Sequence, residues 1–151
     1  MMPTIDLDKL TSGTPERLYH GTTWKRAMKI RREGLLPGTM ERANTPDFAR
    51  DSAGIVSLAD KEHPARFFGV TAAMHEQHGP GKFPDVAILV IDTKKSGVKF
   101  LRAAKSLARS YGGTEYRTPF TIPASAIIAV KRIGTKGDED VPIGQFRRMQ
   151  E

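Results

Sequence analysis

The longest apolar run of the chain, residues 86–91 (Val-Ala-Ile-Leu-Val-Ile), constrains its fold more than any other segment. Pro84 and Asp85 precede this run and Asp92 follows it, so it falls far short of the roughly 20 apolar residues of a membrane-spanning helix. A continuous, β-branched run of this length is typical of a strand that is buried on both faces. We therefore predict a domain built on a sheet, with this strand near its centre.

Length and composition are those of an ordinary globular protein. The 151 residues suffice for one domain with its own core. Hydrophobic residues make up 38% and charged residues 27% of the chain, which excludes wholesale disorder and collagen-like or coiled-coil structures. The sequence contains no cysteine, so disulfide frameworks, thiolate zinc sites and cysteine nucleophiles are excluded as well.

The net charge indicates what kind of partner the protein binds, and the N-terminal residues indicate where in the cell it is located. Lys and Arg total 24 against 17 Asp and Glu, and the net charge of +7 favours an anionic partner such as a nucleic acid. Residues 1–10 include Asp6, Asp8 and Lys9 and lack the apolar core of a signal peptide. We expect a cytoplasmic protein that does not interact with membranes. Signal-free secretion, or release in a target cell as a toxin domain, stays open as an alternative.

The first predicted elements are a strand at residues 17–20 and a helix at residues 24–33. Thr23 is a typical N-cap for this helix, whose apolar residues recur at helical spacing. Gly34 supplies a left-handed C-terminal position, and Pro37 prevents the helix from continuing. The local sequence therefore predicts both ends of this helix.

Apolar spacing and turn residues predict five further elements besides the central strand. Helices concentrated early in the chain and strands late favour an α+β fold over a regular βαβ series. The charge run at 94–109 is most simply the solvated face of its helix. The five elements are a strand at 55–58, a helix that begins near Pro64, an amphipathic basic helix or a helix with a basic approach at 94–109, a strand or extended loop at 115–120 and a final strand at 126–133.

Irregular segments predict the domain boundaries. Residues 1–16 form an irregular lead-in, residues 17–133 form one compact domain, and residues 134–151 form a polar C-terminal tail that we expect to fray. Residues 37–54 show no period, and a loop of that length suits a segment that covers a substrate.

Several kinds of site find no support in the sequence. His75 and His78 lack converging further ligands, so we expect no metal. The glycine-rich segments complete no phosphate-binding loop, and no Gly-x-Ser-x-Gly elbow is present. His20 and Glu115, with their neighbours, remain as the main candidates for chemistry.

Three segments share their order and spacing with one known superfamily. They are Leu18-Tyr19-His20-Gly21-Thr22 with a following helix and Gly34-Leu35-Leu36-Pro37, then residues 54–60 with the helix through 65–68, and finally Gly113-Thr114-Glu115-Tyr116 leading into 120–127. This arrangement resembles the ADP-ribosyltransferase superfamily, which includes poly(ADP-ribose) polymerases and RNA 2′-phosphotransferases. The resemblance covers about residues 17–130. It implies an α+β domain with a central split β-sheet flanked by short helices.

The resemblance implies NAD as co-substrate and gives roles to the matching residues. Glu115 would bind the ribose 2′-hydroxyl and stabilise the cationic transition state, while His20 would bind the adenosine ribose. Gly21 would offer its backbone to the nicotinamide amide, and a side chain there would obstruct a close approach. The remaining implied NAD-binding residues are Tyr19, Thr22, Ser57, Phe67 and Phe68.

The chemistry of NAD also suits a carboxylate at Glu115. Loss of neutral nicotinamide leaves an oxocarbenium-like ribose, which is the charge type that glycosidase carboxylates stabilise. Phe67 or Phe68 could stack on the nicotinamide ring. Because adjacent residues of a helix face different directions, at least one of these rings is expected in the core.

Two positions depart from the superfamily pattern. Ser57 lies in the second strand, where many relatives have a tyrosine. Gly113, two residues before Glu115, lies where arginine-modifying transferases typically carry a carboxylate. The second departure argues against arginine as the acceptor.

The leading hypothesis is a mono-ADP-ribosyltransferase that cleaves NAD and transfers ADP-ribose to a macromolecule, with nucleic acid as one candidate acceptor. A toxin or effector setting, with an antitoxin or delivery partner, stays open. One alternative is an NAD-dependent enzyme like the RNA 2′-phosphotransferases, although these lack the glutamate at the position of Glu115. Another is a degenerate, non-catalytic RNA-binding relative. In the simplest interpretation, Glu115 is a surface residue and His20 a satisfied structural one.

Overall fold

The computed structural model describes residues 13–37, 54–76, 83–103 and 107–150. Within these ranges, the strands are β1 (Arg17–Thr23), β2 (Val56–Ala59), β3 (Val86–Asp92), β4 (Leu101–Ala103), β5 (Glu115–Thr118), β6 (Ile127–Gly134) and β7 (Gly137–Val141). The α-helices are α1 (Trp24–Glu33), α2 (Glu62–Glu76), the single turn α3 (Thr93–Ser96) and α4 (Ile143–Arg148), and two 3-10 helices span Leu107–Tyr111 and Ala124–Ala126.

The seven strands form one sheet in the order β4-β5-β2-β1-β3-β6-β7, and all neighbours in it are antiparallel. β3 pairs with β1 on one side and with β6 on the other, and five of its seven residues are buried. The prediction of a central strand at 86–91 is therefore confirmed. The helices and the antiparallel sheet form a single α+β domain, as predicted.

The core lies on both faces of the sheet, because alternate residues of β3 point in opposite directions. Ala87, Leu89 and Ile91 belong to the larger buried cluster, which also contains Phe100 and Phe146. The smaller cluster contains Val86 and Ile88 together with Ala65 and Ala73 of α2. This two-sided burial explains why the run is apolar at every position.

Helix α1 begins and ends as its sequence predicts. Thr23 Oγ1 accepts a hydrogen bond from the backbone N–H of Arg26 at 3.3 Å, which caps the N-terminus. Gly34 has φ of 81°, and its N–H donates to the carbonyl oxygen of Ile30 at 2.8 Å. The positive φ explains the glycine at this end of the helix.

Helix α2 packs so closely on β1 that their backbones nearly touch. A Cβ atom on Gly21 would lie 1.6 Å from the carbonyl oxygen of Ala65. A Cβ atom on Gly69 of α2 would lie 2.5 Å from Cγ1 of Val86 and 3.2 Å from the backbone nitrogen of Thr22. Both glycines are therefore required by the helix-to-strand packing.

The sheet has a seam between β1 and β2. These strands share one registered pair, Tyr19 with Ala59, whereas β1 and β3 share seven. The part formed by β4, β5 and β2 is thus joined to the part formed by β1, β3, β6 and β7 at a single ladder position. The seam brings residues of β1 close to residues of β2 without a continuous ladder between them.

The predicted basic helix at 94–109 is wrong. Helix α3 ends after one turn at Ser96, and Gly97 adopts a left-handed conformation with φ of 67°. The chain then enters β4, which pairs with β5 through Leu101, Arg102 and Ala103. The periodic apolar residues are compatible with either structure locally, and pairing with β5 decides for the strand.

The predicted frayed tail at 134–151 is also wrong. Strand β7 pairs with β6, and α4 follows it directly. Val141 and Phe146 are buried in the larger core cluster, with 6% and 1% of their surfaces exposed. The segment contains only four large apolar side chains, Val141, Ile143, Phe146 and Met149, and all four belong to or pack against the larger core cluster.

Some predictions lie outside the described residues. These concern most of the lead-in, the substrate-covering loop apart from its ends, and His78. Within the part of the chain that the structure describes, no helix is long and apolar enough to cross a membrane. The same part contains no group of three or more His, Asp or Glu side chains that could hold a metal ion.

Candidate functional site

Ser57 connects two predicted site residues across the seam. His20 Nδ1, on β1, donates a hydrogen bond to the backbone carbonyl oxygen of Ser57 at 3.0 Å. Ser57 Oγ, on β2, donates to Glu115 Oε2 on β5, also at 3.0 Å. Residues from three separate sequence motifs therefore form one chain of hydrogen bonds.

The bond to Ser57 also defines the tautomer of His20. Because a carbonyl oxygen can only accept, Nδ1 carries the proton and Nε2 of the neutral ring is an acceptor. Removal from water lowers the pKa of His20 below its usual 6.5, the hydrogen bond to Ser57 opposes this, and the positive charge of Arg26 lowers the pKa further. A neutral ring near pH 7 can accept a hydrogen bond from a ligand hydroxyl.

Glu115 is held by a second partner on its own strand. Its side chain is buried, with 6% of the residue surface exposed. Nε of Arg117 lies 2.5 Å from Oε2, the oxygen that also accepts from Ser57. Arg117 is not among the residues predicted from the sequence, although residues two apart in a predicted strand share a face and this spacing could have revealed it. A hydroxyl and a guanidinium together position the carboxylate.

The turn before Glu115 is fixed to the start of α2 by Asp60. Asp60 Oδ1 accepts from the N–H of Thr114 at 2.7 Å, and the N–H of Asp60 donates to the carbonyl oxygen of Thr114 at 3.0 Å. A Cβ atom on Gly113 would lie 2.7 Å from Cγ of Pro64 and 2.9 Å from Asp60 Oδ1. Position 113 therefore has no space for a carboxylate side chain unless its neighbours move.

The other residues of the first motif are separated by strand alternation. Tyr19 packs against the apolar cluster beneath α2, on the side towards which a Cβ of Gly21 would point. Thr22 is buried at 1% exposure and belongs to the alternate side of β1. The close approach that requires glycine at position 21 is that of Ala65 in the helix backbone.

An aromatic pair joins α2 to the segment before Glu115. Phe67 stacks on Tyr111, with ring centroids 4.0 Å apart and 20° between the planes. Phe68 lies 5.8 Å from Phe67 in a tilted arrangement. Both phenylalanines are half-buried and neither belongs to a core cluster, so the expectation that at least one lies in the core is wrong. Tyr111 is not among the residues predicted from the sequence, although this aromatic residue lies directly before two glycines and close to the predicted glutamate.

A cavity of about 280 Å³ lies elsewhere in the domain. Its walls include Val70, Val86 and Ile133. Val86 pairs with Thr23, at the opposite end of β1 from the registered pair at the seam. None of the predicted site residues lines this cavity.

The groups at the seam suit one kind of chemistry. A neutral imidazole and a serine hydroxyl can bind sugar hydroxyls, and a positioned carboxylate can stabilise developing positive charge on a ribose. The chain matches no model of a known protein family and no curated protein.

Proposed function

We propose that the protein is a mono-ADP-ribosyltransferase that cleaves NAD and transfers ADP-ribose to a macromolecular acceptor in the cytoplasm. The observation that carries this proposal is the hydrogen-bonded connection from His20 through Ser57 to Glu115. It joins an acceptor for ribose hydroxyls to a carboxylate suited to an oxocarbenium-like centre.

The proposed reaction is a substitution at C1′ of the nicotinamide ribose. The glycosidic C–N bond breaks, and its electron pair goes to the nicotinamide nitrogen, which leaves as neutral nicotinamide. A lone pair of an acceptor oxygen or nitrogen forms the new bond to C1′, and the acceptor proton is released to water. Glu115 stabilises the positive charge that develops on the ribose in between.

The side chains near the proposed site have the hydrogen-bonding and aromatic groups that NAD binding would need. Nε2 of neutral His20 is an acceptor for a ribose hydroxyl, and the half-buried rings of Phe67 and Phe68 offer aromatic surface for a nicotinamide ring. The crowded position of Gly113 argues against an arginine acceptor, because it leaves no space for the carboxylate that arginine-modifying relatives carry there.

The test is nicotinamide release from NAD by the wild type, by Glu115→Gln and by the control Glu139→Gln. Glu139 is exposed on β7, and its replacement removes the same charge elsewhere. We expect Glu115→Gln to release nicotinamide about 100-fold more slowly, the order of loss seen when an electrostatic stabiliser of a transition state is removed. Equal rates for the two variants would contradict the role of Glu115.

The same assay separates the alternatives when it includes RNA that carries an internal 2′-phosphate. Label from the ADP-ribose part of NAD on RNA, DNA or protein supports transfer. Loss of the 2′-phosphate would instead indicate an enzyme like the RNA 2′-phosphotransferases. RNA binding without any NAD turnover would indicate a non-catalytic relative.

A further inference from the structure

The segment that leads from the central strand to Glu115 is entirely basic in its charges. Between Asp92 and Glu115 the sequence contains six Lys or Arg residues and no Asp or Glu. Five of the six lie in the described residues, and all five are exposed. We call these five the basic connection: Lys94, Lys95, Lys99, Arg102 and Arg109.

Several cations elsewhere in the domain pair with carboxylates at short distance. Arg26 pairs with Glu76 at 2.8 Å, and Lys131 pairs with Glu62 at 2.7 Å. In the basic connection, Lys94 approaches Glu16 only to 4.0 Å, and both side chains are more than 80% exposed. An exposed pair of this kind neutralises little of the local charge.

The two edges of the sheet carry opposite charge. β4, at one edge, contains Arg102, whereas β7, at the other edge, contains exposed Asp138, Glu139 and Asp140. Asp138 pairs with Arg66, and Glu139 and Asp140 lie opposite Arg132 and Lys131 of β6. The acidic side chains of β7 thus have basic neighbours, whereas β4 carries no acidic side chain.

The β4 edge adjoins the strand that carries the proposed catalytic carboxylate, and Arg102 belongs to the other face of the sheet from Glu115. In the register of β4 with β5, Ala103 pairs with Glu115 and Arg102 with Tyr116. Neighbouring strands are about 4.8 Å apart, so β4 is the strand nearest to Glu115 on that side. Tyr111, partly exposed, lies between the basic connection and Glu115 along the chain.

We propose that the basic connection binds the sugar-phosphate backbone of a single nucleic-acid strand and presents that strand to Glu115 as the ADP-ribose acceptor. The acceptor role rests on the proposed function, whereas the binding role does not. Binding requires only that exposed Lys and Arg side chains replace the counterions of the phosphates. Transfer then follows the bond changes given above, with a base or sugar group of the strand supplying the lone pair.

Binding is measured by fluorescence anisotropy with labelled single-stranded RNA and DNA of one sequence, in the absence of NAD. The test variant is Lys99→Gln/Arg102→Gln. The control is Lys25→Gln/Lys29→Gln, which removes the same charge from exposed positions of α1. The RNA and DNA arms identify which strand the surface prefers.

We expect the test variant to bind the strand about tenfold more weakly at low salt. The slope of its log association constant against log salt concentration should be shallower by about 1.4, because each lost single-strand phosphate contact removes roughly 0.7 from that slope. The control should stay within about twofold of the wild type. An equal loss in both variants, or no binding of either strand at about 50 mM salt, would overturn the proposal.

The two proposals fail in different ways. Nucleic-acid binding without nicotinamide release would leave the basic connection as a binding surface and contradict the enzyme. Nicotinamide release with label only on protein, and no strand bound, would support the enzyme and contradict the nucleic-acid acceptor. Glu115→Gln should bind the strand as the wild type does, because its carboxylate contributes to transfer and not to phosphate binding.

Discussion

The hydroxyl of Ser57 donates a hydrogen bond of 3.0 Å to the carboxylate of Glu115, across the pairing of β2 with β5. The backbone carbonyl of the same serine accepts from His20 across the seam. One residue therefore holds the proposed catalytic carboxylate through its side chain and the imidazole through its main chain. Replacement of the side chain separates these two contributions.

Ser57→Ala should slow nicotinamide release about 10- to 100-fold, since a hydrogen bond to a charged group contributes roughly 1.5–3 kcal/mol. The bond from His20 to the backbone of residue 57 remains in this variant. The measurement is the initial rate of nicotinamide release at saturating NAD. Ser125→Ala, at an exposed position, is the control. Equal rates for the two variants would show that the hydroxyl does not position Glu115 for the reaction.

Gly21→Ala should destabilise the domain by about 3 kcal/mol or more, because its Cβ would lie 1.6 Å from the carbonyl oxygen of Ala65. The clash is with helix backbone, which cannot move aside as a flexible side chain can. Gly13→Ala is the control, since a Cβ there meets nothing within 4 Å, and it should change stability by less than about 0.5 kcal/mol. Urea unfolding measures both. A stable Gly21→Ala variant would contradict the observed packing of α2 on β1.

The lowered pKa of His20 should make the folded state less stable in acid. Between the lowered folded value and the unfolded value of 6.5, the unfolded chain binds more protons than the folded protein, so stability rises with pH through that window. The stability is present above pH 6.5 and is lost as the pH falls towards the folded value.

The measurement is the free energy of unfolding in urea at about pH 7.5 and about pH 5. His20→Asn cannot titrate in this range and should lose less stability on acidification than the wild type. His75→Asn, at an exposed position of α2, is the control for replacing a histidine with asparagine. Identical pH dependence for His20→Asn and the wild type would contradict a lowered pKa of His20 in the folded state.

Phe146→Ala should cost about 3–5 kcal/mol, the usual range for removing a buried phenylalanine side chain. Phe146 is 1% exposed and its ring lies 5.9 Å from that of Trp24 in an edge-to-face arrangement. The exposed neighbour Gln145→Ala is the control and should be nearly neutral. A small loss for Phe146→Ala in thermal or urea unfolding would show that the C-terminal helix is not part of the cooperative core.

The bounds of an element agree with the sequence-based prediction where adjacent residues set its ends. Thr23 and Gly34 satisfy the ends of α1 through contacts within the helix itself, and the bounds of α1 agree with the prediction. The segment at 94–109 failed because its spacing of apolar residues is compatible with both helix and strand. Pairing of Leu101 and Ala103 with β5, which comes later in the chain, decides its structure.

The candidate site residues also divide into those that a local motif identifies and those that only the folded structure brings to the site. His20, Ser57 and Glu115 were all predicted from separate motifs, and the structure brings them into hydrogen-bond contact. Arg117 and Tyr111 were missed, since neither belongs to a motif that stands out in the sequence. Their proximity to the site follows from the alternation of β5 and from the packing of Phe67 on the segment before it.

Local chemistry along the chain is thus sufficient for the central strand and the caps of α1, and it supplies the residue types on which the NAD proposal rests. Contacts between distant segments set the rest: the seam between β1 and β2, the approach of α2 to Gly21 and the hydrogen bonds through Ser57. The physical reason is that apolar spacing specifies which face of a strand is buried but not which strand becomes its neighbour. That choice depends on the packing of the whole domain.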